Sequence, residues 1–188
     1  MRIYLPADEP RPSPHMAQNY APKLVAAARA FGTAVYQHSQ LSLRELEGAR
    51  LRTAQINGCV TCMNFRAARD LSGHLGRVGA DPGISVTGRG SAPDEEFCVN
   101  VENWRDYPGY SERERLAIRY AEGLGADPHG VADDEDFWTR AKAVFSDAEI
   151  VDLSYSIASW IANGRVSHAL GLDQVCEISP PAKVAETA

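Results

Sequence analysis

The sequence predicts an all-α helical bundle that folds as a single domain. Apolar residues recur at spacings of three and four along most of the chain, which is the period of an amphipathic helix. Serines stand where helix N-caps are expected, and Ser111 and Ser146 are each followed three residues later by glutamate in the capping-box pattern. Strands would show alternating apolar and polar residues, and no convincing run of that kind is present in the sequence.

Length and charge narrow the classes of function. The 188 residues are enough for one sizeable core, and the formal net charge is −6 at pH 7. No stripe of lysine and arginine stands out, which argues against nucleic acid and anionic membranes as partners. The first residues lack an apolar signal segment, and the longest uncharged stretch is too short and too polar to span a bilayer. We therefore expect a cytoplasmic protein.

The helical domain is expected over residues 20–175. Residues 1–19 contain several prolines and predict an irregular arm, and residues 176–188 are expected to form a tail. Residues 76–93 are rich in glycine and lack periodicity, so we predict a long loop there.

Six or so helices are predicted from apolar periodicity and end signals. Pro22 suits a first helical turn, Ser42 is a typical N-cap, and Asn57-Gly58 ends the helix that Ser42 begins. The predicted helices cover residues 22–38, 43–56, 59–75, 111–122, 133–145 and 146–163, with a last turn or two within residues 164–172.

Cys59 and Cys62 form a C-x-x-C motif at the start of the third predicted helix. Residues three apart lie about 60° apart around a helix axis, so the two sulfurs can meet. A helix start also favours the thiolate form of a cysteine. These observations favour a redox pair over two inert buried cysteines. Half of a metal site is the remaining alternative, and it lacks a second C-x-x-C or a nearby Cys/His pair.

Glu47 lies on the helix before the motif, aligned with Leu43, Leu51 and Ala54. A carboxyl group partly buried among such neighbours holds a proton more readily and could take and return the proton of a thiol. An ordinary solvated glutamate is the alternative, and spacing alone does not separate the two.

The pattern around these residues resembles the carboxymuconolactone decarboxylase superfamily, specifically its alkylhydroperoxidase D-like branch. Residues 47–62 read EGARLRTAQINGCVTC, which matches a signature of glutamate, eleven residues and then C-x-x-C. Further similarity covers residues 41–46, 110–117, 145–153 and 163–165. The resemblance spans roughly residues 20–75 and 104–175, and relative to it the 76–93 segment is an insertion.

The resemblance implies an alkylhydroperoxidase D-like helical bundle that assembles into homo-oligomers, with a dithiol that cycles between reduced and disulfide forms. It makes Cys62 the attacking thiolate and Cys59 the cysteine that closes the disulfide, and it makes Glu47 the start of a proton relay. No cofactor or metal is implied.

Arg66 departs from the family pattern, which has histidine four residues after the second cysteine. A guanidinium stays protonated and cannot shuttle a proton at neutral pH, although one turn beyond Cys62 it could favour the thiolate electrostatically. A surface pair with Asp70 is the alternative. We expect weaker peroxidase turnover than in a relative with the histidine.

Two other histidines are candidates for the missing proton carrier. His74 would lie about 18 Å from Cys62 along a continuous helix, which is too far. His168 could approach through the fold, but a surface or packing role is the favoured interpretation. Cys98 and Cys176 are interpreted as packing residues.

The sequence thus predicts a thiol-dependent oxidoreductase, either a peroxidase or a protein-disulfide reductase. Its substrate would be a hydroperoxide or a disulfide, and an external dithiol or protein reductant would restore the pair. Two alternatives stay open: a lactone decarboxylase, whose chemistry needs no dithiol, and a non-catalytic oligomeric module that senses redox state.

Overall fold

The computed structural model describes residues 1–4, 6, 8, 19–77 and 80–174. Nine α-helices lie within these ranges, which contain no β-strand, so the predicted all-α class is confirmed. The helices are α1 Pro22–His38, α2 Leu43–Asn57, α3 Val60–Asn64, α4 Ala67–Arg77, α5 Glu95–Val99, α6 Glu112–Ala126, α7 Pro128–Ala132, α8 Glu135–Val144 and α9 Asp147–Leu170. Three short 3₁₀ helices span Thr87–Arg89, Asn100–Asn103 and Leu172–Gln174.

The predicted N-caps of α2, α6 and α9 are all formed. Ser42, Ser111 and Ser146 each accept a hydrogen bond from the backbone N–H three residues on, and the glutamate there closes a capping box. Gly58 ends α2 with φ of +67°, a left-handed conformation that favours glycine. The local end signals in the sequence therefore set these boundaries.

The expected single helix over residues 59–75 is wrong, because the chain forms two helices, α3 and α4. Between them Phe65 is extended, with ψ of 141°. The freed N–H groups are taken by side chains: Arg66 N–H donates to Asp70 Oδ2 at 2.8 Å, and Ala67 N–H donates to Glu47 Oε1. Satisfied backbone groups make this break stable.

The C-terminal prediction also needs correction, because residues 147–170 form one continuous helix rather than a helix and a last turn or two. Asn163 and Gly164 do not interrupt α9. Gly164 lies where a side chain would collide with Asn57, whose Nδ2 donates to the Trp160 carbonyl at 2.9 Å. The close approach of α2 therefore requires glycine at position 164, in the middle of α9.

Helix α2 lies at the centre of the bundle, packed along α6 and α9, while α1 packs on α9. Its apolar residues Leu43, Leu46 and Ala49 are buried in the main core. Gly48 lets α6 approach closely, since a Cβ atom there would stand 3.0 Å from Ile118. Eleven residues of α2 are buried in all, including Glu47 and Arg50.

In the 76–93 segment, residues 76 and 77 end α4, and residues 80–93 are also described. Val86 is buried in the main core, and Arg89 donates a hydrogen bond to the Tyr36 carbonyl of α1. Most of the predicted arm and all of the predicted tail at 176–188, with Cys176, lie outside the described residues. None of the helices found in the described ranges has the length and apolar character needed to cross a membrane.

Candidate functional site

The C-x-x-C cysteines are joined as a disulfide at the start of α3. Their Cα atoms are 5.2 Å apart. Cys59 is the N-cap of α3, and its Sγ accepts a hydrogen bond from the Cys62 N–H at 3.3 Å. Cys59 is fully buried, whereas Cys62 is half-buried. A reagent arriving from solvent therefore reaches Cys62 first.

Glu47 is buried, with 2% of its surface exposed, and is paired with Arg50 one turn later on α2. Arg50 Nε and Nη2 donate to Glu47 Oε2 at 2.8 and 2.6 Å, and the other carboxylate oxygen accepts from Ala67 N–H. Of the two alternatives that spacing left open, the structure has the buried carboxyl group, and its neighbours include the hydrogen-bond donors Arg50 and Ala67 N–H. The relay role of Glu47 stays a prediction.

Arg50 connects this buried pair to the cysteine helix. Its Nη1 donates to the Cys62 carbonyl at 2.6 Å, and its Nη2 donates to the Phe65 carbonyl at 2.6 Å. Burial opposes the charge of Arg50, but the carboxylate of Glu47 outweighs it and raises the pKa of the guanidinium. Sequence reasoning missed Arg50; the available signal was a basic residue three positions after a candidate buried carboxylate.

Arg66 also binds the end of α3. Its Nη1 donates to the Met63 and Phe65 carbonyls at 2.7 and 2.9 Å, and its Nη2 pairs with Glu95 Oε2 of α5 at 2.9 Å. The contact with Asp70 is made by the Arg66 backbone N–H, and the Asp70 carboxylate pairs with Arg69. The electrostatic effect of Arg66 in favour of the Cys62 thiolate stays a prediction.

His168 and Asp173 lie at the opposite, N-terminal end of α3, the end that Cys59 caps. His168 Nδ1 is 3.0 Å from Asp173 Oδ2, and the same oxygen accepts from Val60 N–H at 3.2 Å. The imidazole stands against Gly58: its Nε2 is 3.2 Å from where a Cβ atom on that glycine would be. The sequence analysis allowed His168 to approach through the fold but favoured a surface or packing role, because it ended the helix near Asn163, whereas α9 continues to Leu170.

Cys98 on α5 is a buried free thiol, and it lies close enough to Arg66, Glu47 and Glu95 to feel their charges. Burial raises the pKa of Cys98 to about 11. The thiol is therefore protonated and unreactive near neutral pH. Within the described ranges, no group of three or more His, Cys, Asp or Glu side chains is arranged to hold a metal ion.

The chain matches no protein-family profile and no curated protein. It is similar to a solved crystal structure of a protein of unknown function from Agrobacterium tumefaciens, provisionally assigned as the antioxidant defence protein AhpD. The two share 25% sequence identity with a TM-score of 0.60, over 81% of this chain and 93% of the other. The fold is of the AhpD-like type.

Proposed function

We propose that this protein is a thiol-dependent oxidoreductase of the alkylhydroperoxidase D-like branch of the carboxymuconolactone decarboxylase superfamily. The observation that carries the proposal is the disulfide between a half-buried Cys62 and a fully buried Cys59 at the start of one short helix. Unequal exposure suits a division between an attacking and a resolving thiol. The AhpD-like neighbour supports an antioxidant role.

The proposed reaction with a hydroperoxide has two steps. The Cys62 thiolate attacks the peroxide, the O–O bond breaks, and Cys62 becomes a sulfenic acid; the departing alkoxide takes up the proton that Cys62 had lost and leaves as an alcohol. The Cys59 thiol then attacks the Cys62 sulfur and releases water, which leaves the disulfide. An external dithiol supplies the two electrons and two protons that restore both thiols.

The Glu47–Arg50 pair and Arg66 hold the segment that carries Cys62. Together the two guanidinium groups donate to the carbonyls of Cys62, Met63 and Phe65. In this proposal Glu47 also keeps the relay role that the resemblance implies. Its Oε2 accepts two hydrogen bonds from Arg50, whereas Oε1 accepts only from Ala67 N–H, so a proton would add at Oε1.

Among the alternatives, lactone decarboxylation gains no support from the disulfide, since that chemistry does not use one. A redox-sensing module would form the same disulfide but would not turn over a substrate. Turnover therefore separates the sensor from the enzyme.

The test is consumption of an organic hydroperoxide with dithiothreitol as reductant. We expect turnover in the wild type, its loss in Cys59→Ser and Cys62→Ser, and its retention in the matched control Cys98→Ala. Reversible disulfide formation without turnover would favour the sensor, and lactone decarboxylation that survives both cysteine changes would favour the decarboxylase. Either result would overturn the proposal.

A further inference from the structure

We propose that His168 and Asp173 form the proton-carrying pair of the Cys59–Cys62 dithiol, an inference that rests on the proposed function. In this pair His168 takes the proton from the resolving thiol Cys59, and Asp173 positions the imidazole. Closure of the disulfide requires Cys59 to lose a proton, and this thiol is fully buried. A base beside it is therefore needed.

The geometry favours His168 as that base. Because Nδ1 lies 3.0 Å from the Asp173 carboxylate, a neutral ring carries its proton on Nδ1 and leaves Nε2 as the acceptor. Nε2 is on the side of the ring that faces Gly58, the residue directly before Cys59. The His168 side chain is 51% exposed, so the accepted proton can pass to solvent.

Asp173 is fixed against α3 on several sides. Its side chain is 1% exposed, Oδ2 accepts from Val60 N–H, and its carbonyl accepts from Thr61 Oγ1 at 2.7 Å. Oδ1 is buried and has no hydrogen-bond donor among the described residues. Burying a carboxylate oxygen without a hydrogen bond costs free energy. Oδ1 therefore remains free to accept a hydrogen bond near Val60 and Thr61, the residues between the two cysteines.

The other ionisable groups near the motif are less suited to take the proton of Cys59. Arg66 is a permanent cation bound to Glu95. Glu47 is held by Arg50 and by Ala67 N–H, and Arg50 also binds the Cys62 carbonyl, so its relay role belongs to Cys62. On the elements around His168, Arg165 donates to Asn57 and to the Gly125 carbonyl, and the Met1 amino group lies against Gly171. His74 packs edge-on against Phe65, with ring centroids 5.6 Å apart.

The step is the same for both substrate classes. Cys62 first carries a group X on sulfur, where X is OH from a hydroperoxide or SR from a disulfide. His168 Nε2 takes the Cys59 proton, Cys59 Sγ bonds to Cys62 Sγ, and the bond from Cys62 sulfur to X breaks. X leaves with the electron pair of that bond and takes up a proton from solvent, to which His168 passes the proton it accepted, so the products are the disulfide and HX.

The test follows the release of coloured thiol when the reduced protein, in a Cys176→Ser background, reacts with the aromatic disulfide dithiobis(2-nitrobenzoate). The first equivalent of coloured thiol reports attack by Cys62, and the second reports closure by Cys59. We expect His168→Gln to slow the second phase about hundredfold and to change the first phase far less. Asp173→Asn should act in the same direction by a smaller factor, and His129→Gln, an exposed histidine on α7, should leave both phases unchanged.

Unchanged closure in a folded His168→Gln variant would overturn this inference. If Asp173→Asn fails to fold, His168→Gln alone decides, since that side chain is half-exposed. The proposed function can fail separately: without hydroperoxide turnover in the wild type, the two phases with the disulfide reagent still measure closure.

Discussion

The three cysteines in the described part of the chain differ in exposure and surroundings. Cys62 is half-buried, Cys59 is fully buried, and Cys98 is buried with a pKa of about 11. Alkylation requires both access and a thiolate. The rates of alkylation should therefore separate the attacking thiol Cys62 from the resolving thiol Cys59 and from the unreactive Cys98.

We predict that brief treatment of the reduced native protein with iodoacetamide at neutral pH labels Cys62 first, Cys59 more slowly and Cys98 last. Peptide mapping by mass spectrometry gives the three rates separately, and unfolding in urea should make them similar. Rapid labelling of Cys98 in the native state would contradict the described burial.

Glu47 and Arg50 form a buried ion pair whose members also satisfy backbone groups of α3 and α4. Removing one partner of a buried pair leaves the other charge uncompensated, at a cost of about 3–5 kcal/mol. We predict that Glu47→Ala lowers the free energy of unfolding by about that amount, measured by urea denaturation.

A double variant distinguishes pairing from a separate role of the carboxyl group. Glu47→Ala combined with Arg50→Met should lose less stability than the two single changes together, because the pair is removed as a unit. Additive losses would show that the two residues act independently. Disulfide closure in the folded double variant then reports whether the Glu47 carboxyl is needed for chemistry.

Local signals in the sequence are sufficient to predict a helix where they set its first and last residues. Helix α2 was predicted to within one residue, because Ser42 and Gly58 mark its ends through their own conformations. The break at Phe65 and Arg66 could not be predicted in this way. It depends on the Glu47 carboxylate accepting from Ala67, a contact across twenty residues of sequence.

Gly58 has two requirements that alanine cannot meet: a left-handed backbone and space for the His168 ring 3.2 Å from a Cβ position. The left-handed conformation alone costs a residue with a side chain about 1–2 kcal/mol. We predict that Gly58→Ala destabilises the fold by at least that amount and slows closure of the disulfide by displacing His168. Gly76→Ala, where a Cβ atom meets nothing within 4 Å, is the matched control. Equal stability of the two variants would contradict the prediction.

Glu122 on α6 joins three elements, accepting from Arg52 at 2.8 Å, from Trp104 at 3.0 Å and from Arg105. Burial alone would raise its pKa, but the hydrogen bonds from Arg105 and Trp104 and the charge of Arg52 lower the pKa to about 2. The folded state therefore binds this proton more weakly than the unfolded chain. The stabilisation is complete above about pH 4.5 and is lost as the pH falls towards 2.

We predict that Glu122→Gln lowers the free energy of unfolding at pH 7 and flattens its decline between about pH 4.5 and 2. Urea titrations at a series of pH values measure both effects. The exposed control Glu102→Gln should keep the wild-type slope, and an equally steep decline in Glu122→Gln would count against the assigned role.

For the whole molecule, α1 and α9 leave apolar side chains exposed on adjacent surfaces. Leu24 and Tyr155 are 73% and 64% exposed, and the Phe31 and Tyr155 rings are in contact with centroids 6.4 Å apart. Val151, one turn before Tyr155 on α9, is 55% exposed. We propose that these residues contact a second copy of the chain, in line with the homo-oligomer that the resemblance implies.

Sedimentation tests the oligomer. We predict that the wild type sediments as an oligomer and that Phe31→Glu with Tyr155→Glu yields a folded monomer. Val99→Glu, an exposed apolar position on α5, should keep the wild-type size. A wild type that is monomeric at micromolar concentration would rule out this contact.

The sequence predicted the helical class, the capping boxes and the cysteine pair because each depends on residues close together in the chain. It could not predict that Arg50 binds the Cys62 carbonyl or that His168 reaches Gly58. Both contacts depend on how α2, α3 and α9 pack together. The candidate site is therefore a local motif whose chemistry depends on tertiary structure.

A mass-spectrometric map of the native protein through one redox cycle tests the Cys59–Cys62 redox pair most directly. We predict a crosslink between Cys59 and Cys62 that disappears with dithiothreitol and returns when an organic hydroperoxide is added, while Cys98 stays reduced. Formation of a stable Cys62 oxidation product without the crosslink, or no change at either sulfur, would contradict it.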